Sequence, residues 1–284
     1  MEICLNSKFF SDLSVVEFGE KTLALGYDGI DICVRPGHPI NADNAIKTLP
    51  VAVQTWEKQG LTCPLATAAV DIIDPHEPVV ENLFAACSEA GIPRLKIGIW
   101  RYNSGDQYWH VVKTARKALE SFADYSRHYG VQTCYQTHSG PCIGSNCAGL
   151  MHLIKGFEPE LVGAYPDLGH IALDGEDWAM GLEMVRNHLA VVGIKDALYQ
   201  HQSNRQPPFN PRFVKVGDGC VDWQRCVNIL ADFAFEGPLT VHTEYNFDET
   251  IIRQVGYAGT TPSNLEEWAK SDAAYLRRLL ATVS

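Results

Sequence analysis

The chain has 284 residues, 46% of them hydrophobic, with 23 basic against 34 acidic side chains and a formal net charge of −11. It is long enough to bury one sizeable core, and no apolar stretch approaches the roughly 20 residues that a spanning helix needs, so no membrane partner is expected. Nucleic acid is not expected either, because binding phosphates needs clustered Lys and Arg, and the charges here are interspersed with an acidic excess.

Taken in chain order, short strand-like runs alternate with stretches of helical apolar spacing. Strands are predicted over Glu2–Asn6, Gly29–Val34, Thr62–Thr67, Arg94–Ile99, Gln132–Gln136, Val162–Asp167, Ala190–Lys195 and Pro238–Glu244. Helices are predicted over Leu13–Leu25, Leu49–Gln59, Pro78–Ala90, Trp109–Tyr129, Ala148–Lys155, Trp178–His188, Val221–Phe233 and Asn264–Ala281. Gly26, Gly60, Gly91 and Gly130 stand where left-handed helix caps are expected. The fold class read from this alternation is α/β, a (β/α)8 TIM barrel, with residues 1–284 forming one domain. The start, MEICLNSKFF, has no basic stretch followed by a long apolar one, and a cytoplasmic protein is expected.

Polar residues gather at the carboxyl ends of these strands, where barrel active sites lie. Gln136 and His138 close VQTCYQTHSG, Asp167 and His170 close VGAYPDLGH, Lys195 ends AVVGIK, and His242 and Glu244 close PLTVHTEY. Residues two apart on a strand share a face, so Asp31, Cys33 and Arg35 are expected inside the barrel. The same rule places Lys96, Gly98 and Trp100 there. Asp167 and Glu244 supply hard oxygen ligands from different strands and Gln136 a neutral carbonyl oxygen, a set suited to Mg2+ or Mn2+; an added imidazole shifts it toward Mn2+, Co2+ or Zn2+. The competing reading makes the carboxylates ion-pair partners of Lys96 and Lys195. Lys195 beside carboxylates stays charged and stabilises an oxyanion, while Asp196 points the other way and orients the following loop. Trp100 and Trp109 offer a platform for a sugar ring or simply pack. Tyr199–Phe213, rich in Pro, Asn and Gln, is too long for an ordinary connection and reads as a lid loop or a wall of the site. The nine cysteines form no compact disulfide framework, and Cys142 and Cys147 lack the second pair of a zinc ribbon.

The segments GYDGIDICVRPGH, YQTHSG, PDLGH, IKD, VKVGDGCVDW and GPLTVHTEY, in order from Gly26 to Tyr245, resemble the xylose isomerase-like TIM barrels. This is the sugar phosphate isomerase/epimerase group, related to the family 2 AP endonucleases. The resemblance implies a divalent metal held by Glu, Asp, His and Glu on the fifth to eighth strands; the matching positions here are Gln136, Asp167, Gly193 and Glu244. His170 matches the family histidine that contacts substrate oxygens.

The leading expectation is therefore a metal-dependent sugar isomerase or epimerase, or a related keto-glycoside lyase, working on an uncharged or weakly charged carbohydrate by proton transfer next to a carbonyl. Glu244, His170 and Lys195 are its catalytic candidates. Lys96, Trp100, His138 and His242 are its substrate-binding candidates, and Gln136, Asp167 and Glu244 its metal ligands. The expected partner is a small sugar, and a homo-oligomer is allowed. Two alternatives stand beside this reading: a degenerate barrel that binds sugar without turning it over, and an abasic-site endonuclease, which the acidic charge and the missing ligands disfavour.

Overall fold

A computed structural model describes residues 1–204, 206–245 and 264–283. Eight parallel strands carry the barrel: β1 (Ile3–Asn6), β2 (Gly29–Val34), β3 (Thr62–Ala68), β4 (Arg94–Lys96), β5 (Gln132–Gln136), β6 (Val162–Tyr165), β7 (Val192–Ile194) and β10 (Leu239–Val241). Hydrogen bonding runs β6-β5-β4-β3-β2-β1-β10-β7. Single bridges Ala164–Leu189 and Asp167–Gly193 close the seam between β6 and β7. Helices α1 (Val15–Leu25), α2 (Ala45–Lys58), α3 (Pro78–Glu89), α4 (Tyr108–Tyr129), α5 (Cys147–Ile154), α6 (Leu168–Asp174), α7 (Trp178–Val185), α8 (Trp223–Asp232) and α9 (Leu265–Leu280) surround it.

The helices form where sequence periodicity places an apolar stripe against the sheet. In α4, Val112, Ala115, Leu119, Phe122 and Ala123 are buried, and Gly130 ends the helix at φ 67°, a conformation that costs glycine little. Ser14 caps α1 in a capping box with Glu17. No helix among the described residues is long and apolar enough to cross a membrane. All nine cysteines are free thiols, and only Cys220 is exposed.

Three departures from the sequence expectation shape the barrel mouth. The fourth strand ends at Lys96, because the amides of Gly98 and Ile99 donate to the carbonyls of Ile72 and Val70 instead of continuing the ladder. Inner-face alternation stops there: a Cβ on Gly98 would lie 2.6 Å from Val70 O, and Trp100 stacks on Tyr135 at 5.2 Å. Secondly, Tyr199–Phe213 belongs to an antiparallel hairpin of β8 (Asp196–His201) and β9 (Phe209–Val214), leaving the barrel directly after β7. Thirdly, the strand predicted over Val162–Asp167 stops at Tyr165, and Asp167 instead caps the short helix α6, accepting from the His170 amide at 3.3 Å.

Candidate active site

The strand ends bring the polar candidates together around one ammonium. Lys195, immediately past β7, is 5% exposed, and its Nζ lies 3.2 Å from Asp167 Oδ2, 3.0 Å from Glu244 Oε2 and 2.9 Å from His170 Nε2. Burial opposes its charge, but Asp167 and Glu244 outweigh burial and raise its pKa above the usual lysine value. Lys8, just beyond β1, reaches the other oxygen of Glu244 at 2.7 Å. Burial pushes the Glu244 carboxyl up, and Lys195 and Lys8 together bring it well below the usual carboxylate range.

His170 is held neutral by burial and by the Lys195 charge. Its Nε2 lies 2.9 Å from Lys195 Nζ, and its Nδ1 faces the Ser139 hydroxyl at 2.9 Å and the Ser139 backbone amide at 3.2 Å. His138 stacks on His170 with ring centroids 4.1 Å apart. Its Nδ1 lies 2.9 Å from the Ser139 carbonyl and donates there, which leaves a lone pair on Nε2, a nitrogen with no hydrogen-bond partner among the described residues. Burial, then Lys195, lowers the His138 pKa as well. Phe213 of the hairpin packs its ring over Lys195 Nζ at 5.5 Å and edge-on to His170 at 5.1 Å, forming a wall beside both.

His242 sits deeper, its Nε2 2.6 Å from the Tyr165 hydroxyl and 3.2 Å from Thr240 Oγ1. The two hydroxyls of Tyr165 and Thr240 are also hydrogen-bonded to each other. Burial and Lys195 keep His242 neutral. Lys96 is buried at the end of β4, and Trp100, only 6% exposed, packs on Tyr135. Trp109 lies apart on α4, exposed and edge-on to His152. Asp196 faces away from this cluster. Its carboxylate accepts from the amides of Ala197, Gly217, Gly219 and Val221 and from the Trp223 indole, at 2.8 to 3.1 Å, gathering the loop that follows the hairpin.

The residues expected to hold a divalent ion do not fit one. Gln136 turns its amide nitrogen, not its oxygen, to Asp167 Oδ2 at 2.8 Å, and Asp167 Oδ1 accepts from a backbone amide. The same Oδ2 faces the Lys195 ammonium. Two carboxylates are already matched by two ammoniums, Lys195 and Lys8, so a dication would enter a neutral cluster within contact of a fixed positive charge. At the position where the family histidine belongs, a Cβ on Gly193 would fall 2.8 Å from Asp167 Cγ and Oδ2. Among the described residues no group of three His, Cys, Asp or Glu side chains is arranged to hold a metal ion.

Sequence reasoning did not single out Asn6, Lys8, Thr67, Ser139, Tyr165 or Phe213. Asn6 and Lys8 share a parity at the end of β1, as Tyr165 and Asp167 do at β6, so the two-residue rule applied to those strands finds them. Phe213 reaches the site through the hairpin, within the segment Tyr199–Phe213 that reads as a lid or wall, although the sequence does not single out this residue in it.

A barrel of eight parallel strands with its polar cluster at the carboxyl ends is the architecture of the isomerase-like TIM barrels. Residues 20–279 match the family model described as the xylose isomerase-like TIM barrel, and the chain belongs to that family. It is 25% identical over 147 residues to an inosose dehydratase of Lacticaseibacillus casei, a match covering 49% of this chain and 48% of that protein. A second inosose dehydratase, from Halalkalibacterium halodurans, is 25% identical over 139 residues, covering 46% of each. The chain thus spans about half the length of the curated relatives it matches. Among solved structures, D-psicose 3-epimerase of Clostridium cellulolyticum superposes with a TM-score of 0.73 at 12% identity over 99% of both chains. The 3-keto-D-glucoside 4-epimerase of E. coli gives 0.72 at 14% identity, over 98% of this chain and 99% of that one. At 12% and 14% identity, these two structures share the barrel fold with the chain.

Proposed function

We propose that the chain moves a proton on a carbon beside a sugar carbonyl, as an isomerase, epimerase or dehydratase, with the Lys195 ammonium as its electrophile. The observation that carries this reading is Lys195 itself, a buried cation oriented by Asp167, Glu244 and His170 at the mouth of the barrel. When the proton leaves carbon, the electron pair moves onto the carbonyl oxygen, and a fixed ammonium in a water-poor site stabilises the oxyanion that forms. The Nε2 lone pair of His138 is the free proton acceptor; Glu244, held ionised between two lysines, is a weaker base and binds substrate hydroxyls. His170 acts through Lys195 and is a positioning residue. Returning the proton to the neighbouring carbon completes an isomerisation, and returning it to the opposite face completes an epimerisation. Loss of a β-hydroxyl, which takes up the proton and departs as water, completes a dehydration. The hairpin carrying Phe213 serves as the cover of the site. Because the donor set does not fit a dication, no step is assigned to a metal.

Incubation with keto-sugars, 3-keto-glycosides and a keto-inositol in D2O tests the proposal. Deuterium is expected at the carbon next to the carbonyl, with His138→Gln and Lys195→Met slowing its entry by about 10²-fold or more. Tight sugar binding without exchange in any of them would assign the barrel to the non-catalytic class instead.

A further inference from the structure

The opposite side of the barrel mouth carries two cations that make no ion pair among the described residues. Arg35 stands just past β2 in the inward-facing series Asp31, Cys33, Arg35, its backbone held by a turn in which its amide donates to the Ile40 carbonyl and its own carbonyl accepts from His38. Its guanidinium has no hydrogen-bond or ion-pair partner among the described residues, and its Nε is buried and unsatisfied. Lys96 ends β4, is 1% exposed, and likewise has no side-chain partner among the described residues. The two are close enough that, after burial, the Arg35 charge is the largest influence lowering Lys96, to a pKa of about 7.

Asp31, the nearest acid, does not fill this role. Its carboxylate is buried and already takes hydrogen bonds from Asn6 at 2.7 Å and Thr67 at 2.6 Å, and burial raises its pKa to about 6. The contrast with Lys195 and Lys8 is direct, since those ammoniums sit within 3.2 Å of Asp167 and Glu244. A buried ammonium without a counter-charge is costly, and with a half-buried guanidinium beside it the pair is kept where an anion will meet it. A guanidinium fork beside a lysine is the donor set for an oxyanion.

We propose that Arg35 and Lys96 form a subsite for an oxyanion carried by the substrate, a carboxylate or a phosphate ester on the sugar, placed across the barrel mouth from Lys195. This deepens and rests on the reading of the mouth as a sugar site, and it replaces the uncharged carbohydrate expected from sequence with an anionic one. The arriving anion completes the hydrogen bonding of Arg35 Nε and holds Lys96 in its ammonium form. Specificity then comes from the β2–β4 side and chemistry from the β6–β10 side.

Calorimetric titration at low salt tests this with a neutral ketose, the ketose bearing a terminal carboxylate, the ketose bearing a terminal phosphate, and inorganic phosphate and acetate alone. One or both anionic sugars are expected to bind about 10- to 100-fold tighter than the neutral one, the preferred one identifying the oxyanion. Arg35→Gln and Lys96→Met should abolish that preference, and Arg35→Lys should restore part of it. If inorganic phosphate or acetate binds in an Arg35-dependent way while no sugar does, the subsite stands and the sugar reading fails. Equal affinity for neutral and anionic sugars, anion binding unchanged in a folded Arg35→Gln protein, or no binding of any probe overturns the subsite.

Discussion

Lys195 Nζ lies 2.9 Å from His170 Nε2, so an ammonium and a neutral imidazole meet with a single proton between them. The pair orders the whole site. It sets the Lys195 charge against His170, whose other ring nitrogen faces the Ser139 hydroxyl at 2.9 Å and the Ser139 amide at 3.2 Å.

Removing the ammonium separates its electrostatic role from its shape. Lys195→Met leaves Asp167 and Glu244 buried without their shared cation, which should cost about 3–5 kcal/mol of stability, measured by denaturant unfolding. Proton exchange on the substrate should fall by about 10²-fold or more in the same protein. Dialysis of the wild type against EDTA should leave exchange unchanged; loss on chelation with recovery on added Mn2+ would show that a metal carries the charge instead.

The histidines set the acid limit of stability. His170, His138 and His242 all have folded-state pKa values lowered, each chiefly by burial and then by Lys195. A base with a depressed pKa binds its proton more weakly when folded, so the stability it contributes is present above the ordinary value near 6.5 and drains away as pH falls below it. Unfolding free energy should decline from about pH 6.5 downward, and His170→Asn should make that decline shallower. A wild-type curve flat from neutrality to pH 5 would contradict the neutral-imidazole assignment.

Lys96 predicts the reverse trade of stability for function. Its folded pKa of about 7 lies below the ordinary lysine value near 10.4, so the folded protein loses stability as pH falls from about 10 toward 7, and the loss stays constant below that. Lys96→Met should therefore raise stability by a few kcal/mol at pH 6 and by much less at pH 10. A melting temperature unchanged or lowered at pH 6 would mean that the ammonium has found a partner.

Gly169 is predicted to be a positioning residue for the same chemistry. A Cβ there would lie 2.6 Å from Lys195 Cβ and 2.7 Å from Lys195 O, so α6 packs against the strand end only because this residue lacks a side chain. Gly169→Ala should cost about 1–3 kcal/mol by overpacking and lower the rate of exchange more than the affinity for sugar. Equal losses in binding and rate would point to general disorder of the mouth.

The barrel was legible because hydrophobic period changes from two to 3.6 at each boundary, and the strand-end polar residues stand out against it. Lys195, Glu244, Asp167 and His170 were found that way and do converge. The overlong fourth strand was not legible: RLKIGIW alternates like a strand to its end, and only the tertiary pairing of Gly98 and Ile99 with the loop after β3 shows where it leaves the sheet. Helix α6 was hidden by its seven-residue length, although Asp167 before LGH carries a cap signal. Charge partnership was legible only as the competing reading: Lys195 pairs with Asp167 and Glu244 as that reading has it, whereas Lys96, a strand end away, makes no ion pair with either carboxylate.

The seam between β6 and β7 is the thinnest part of the wall, held by two isolated bridges where other neighbours share continuous ladders. Asp167 lies on one edge of that seam and Lys195 on the other, so their ion pair is also a clasp across the gap. Breathing of the barrel at this point would part the Lys195 ammonium from its Asp167 anchor. Heat or denaturant should then abolish the proposed proton exchange at a milder condition than the one that melts the helices.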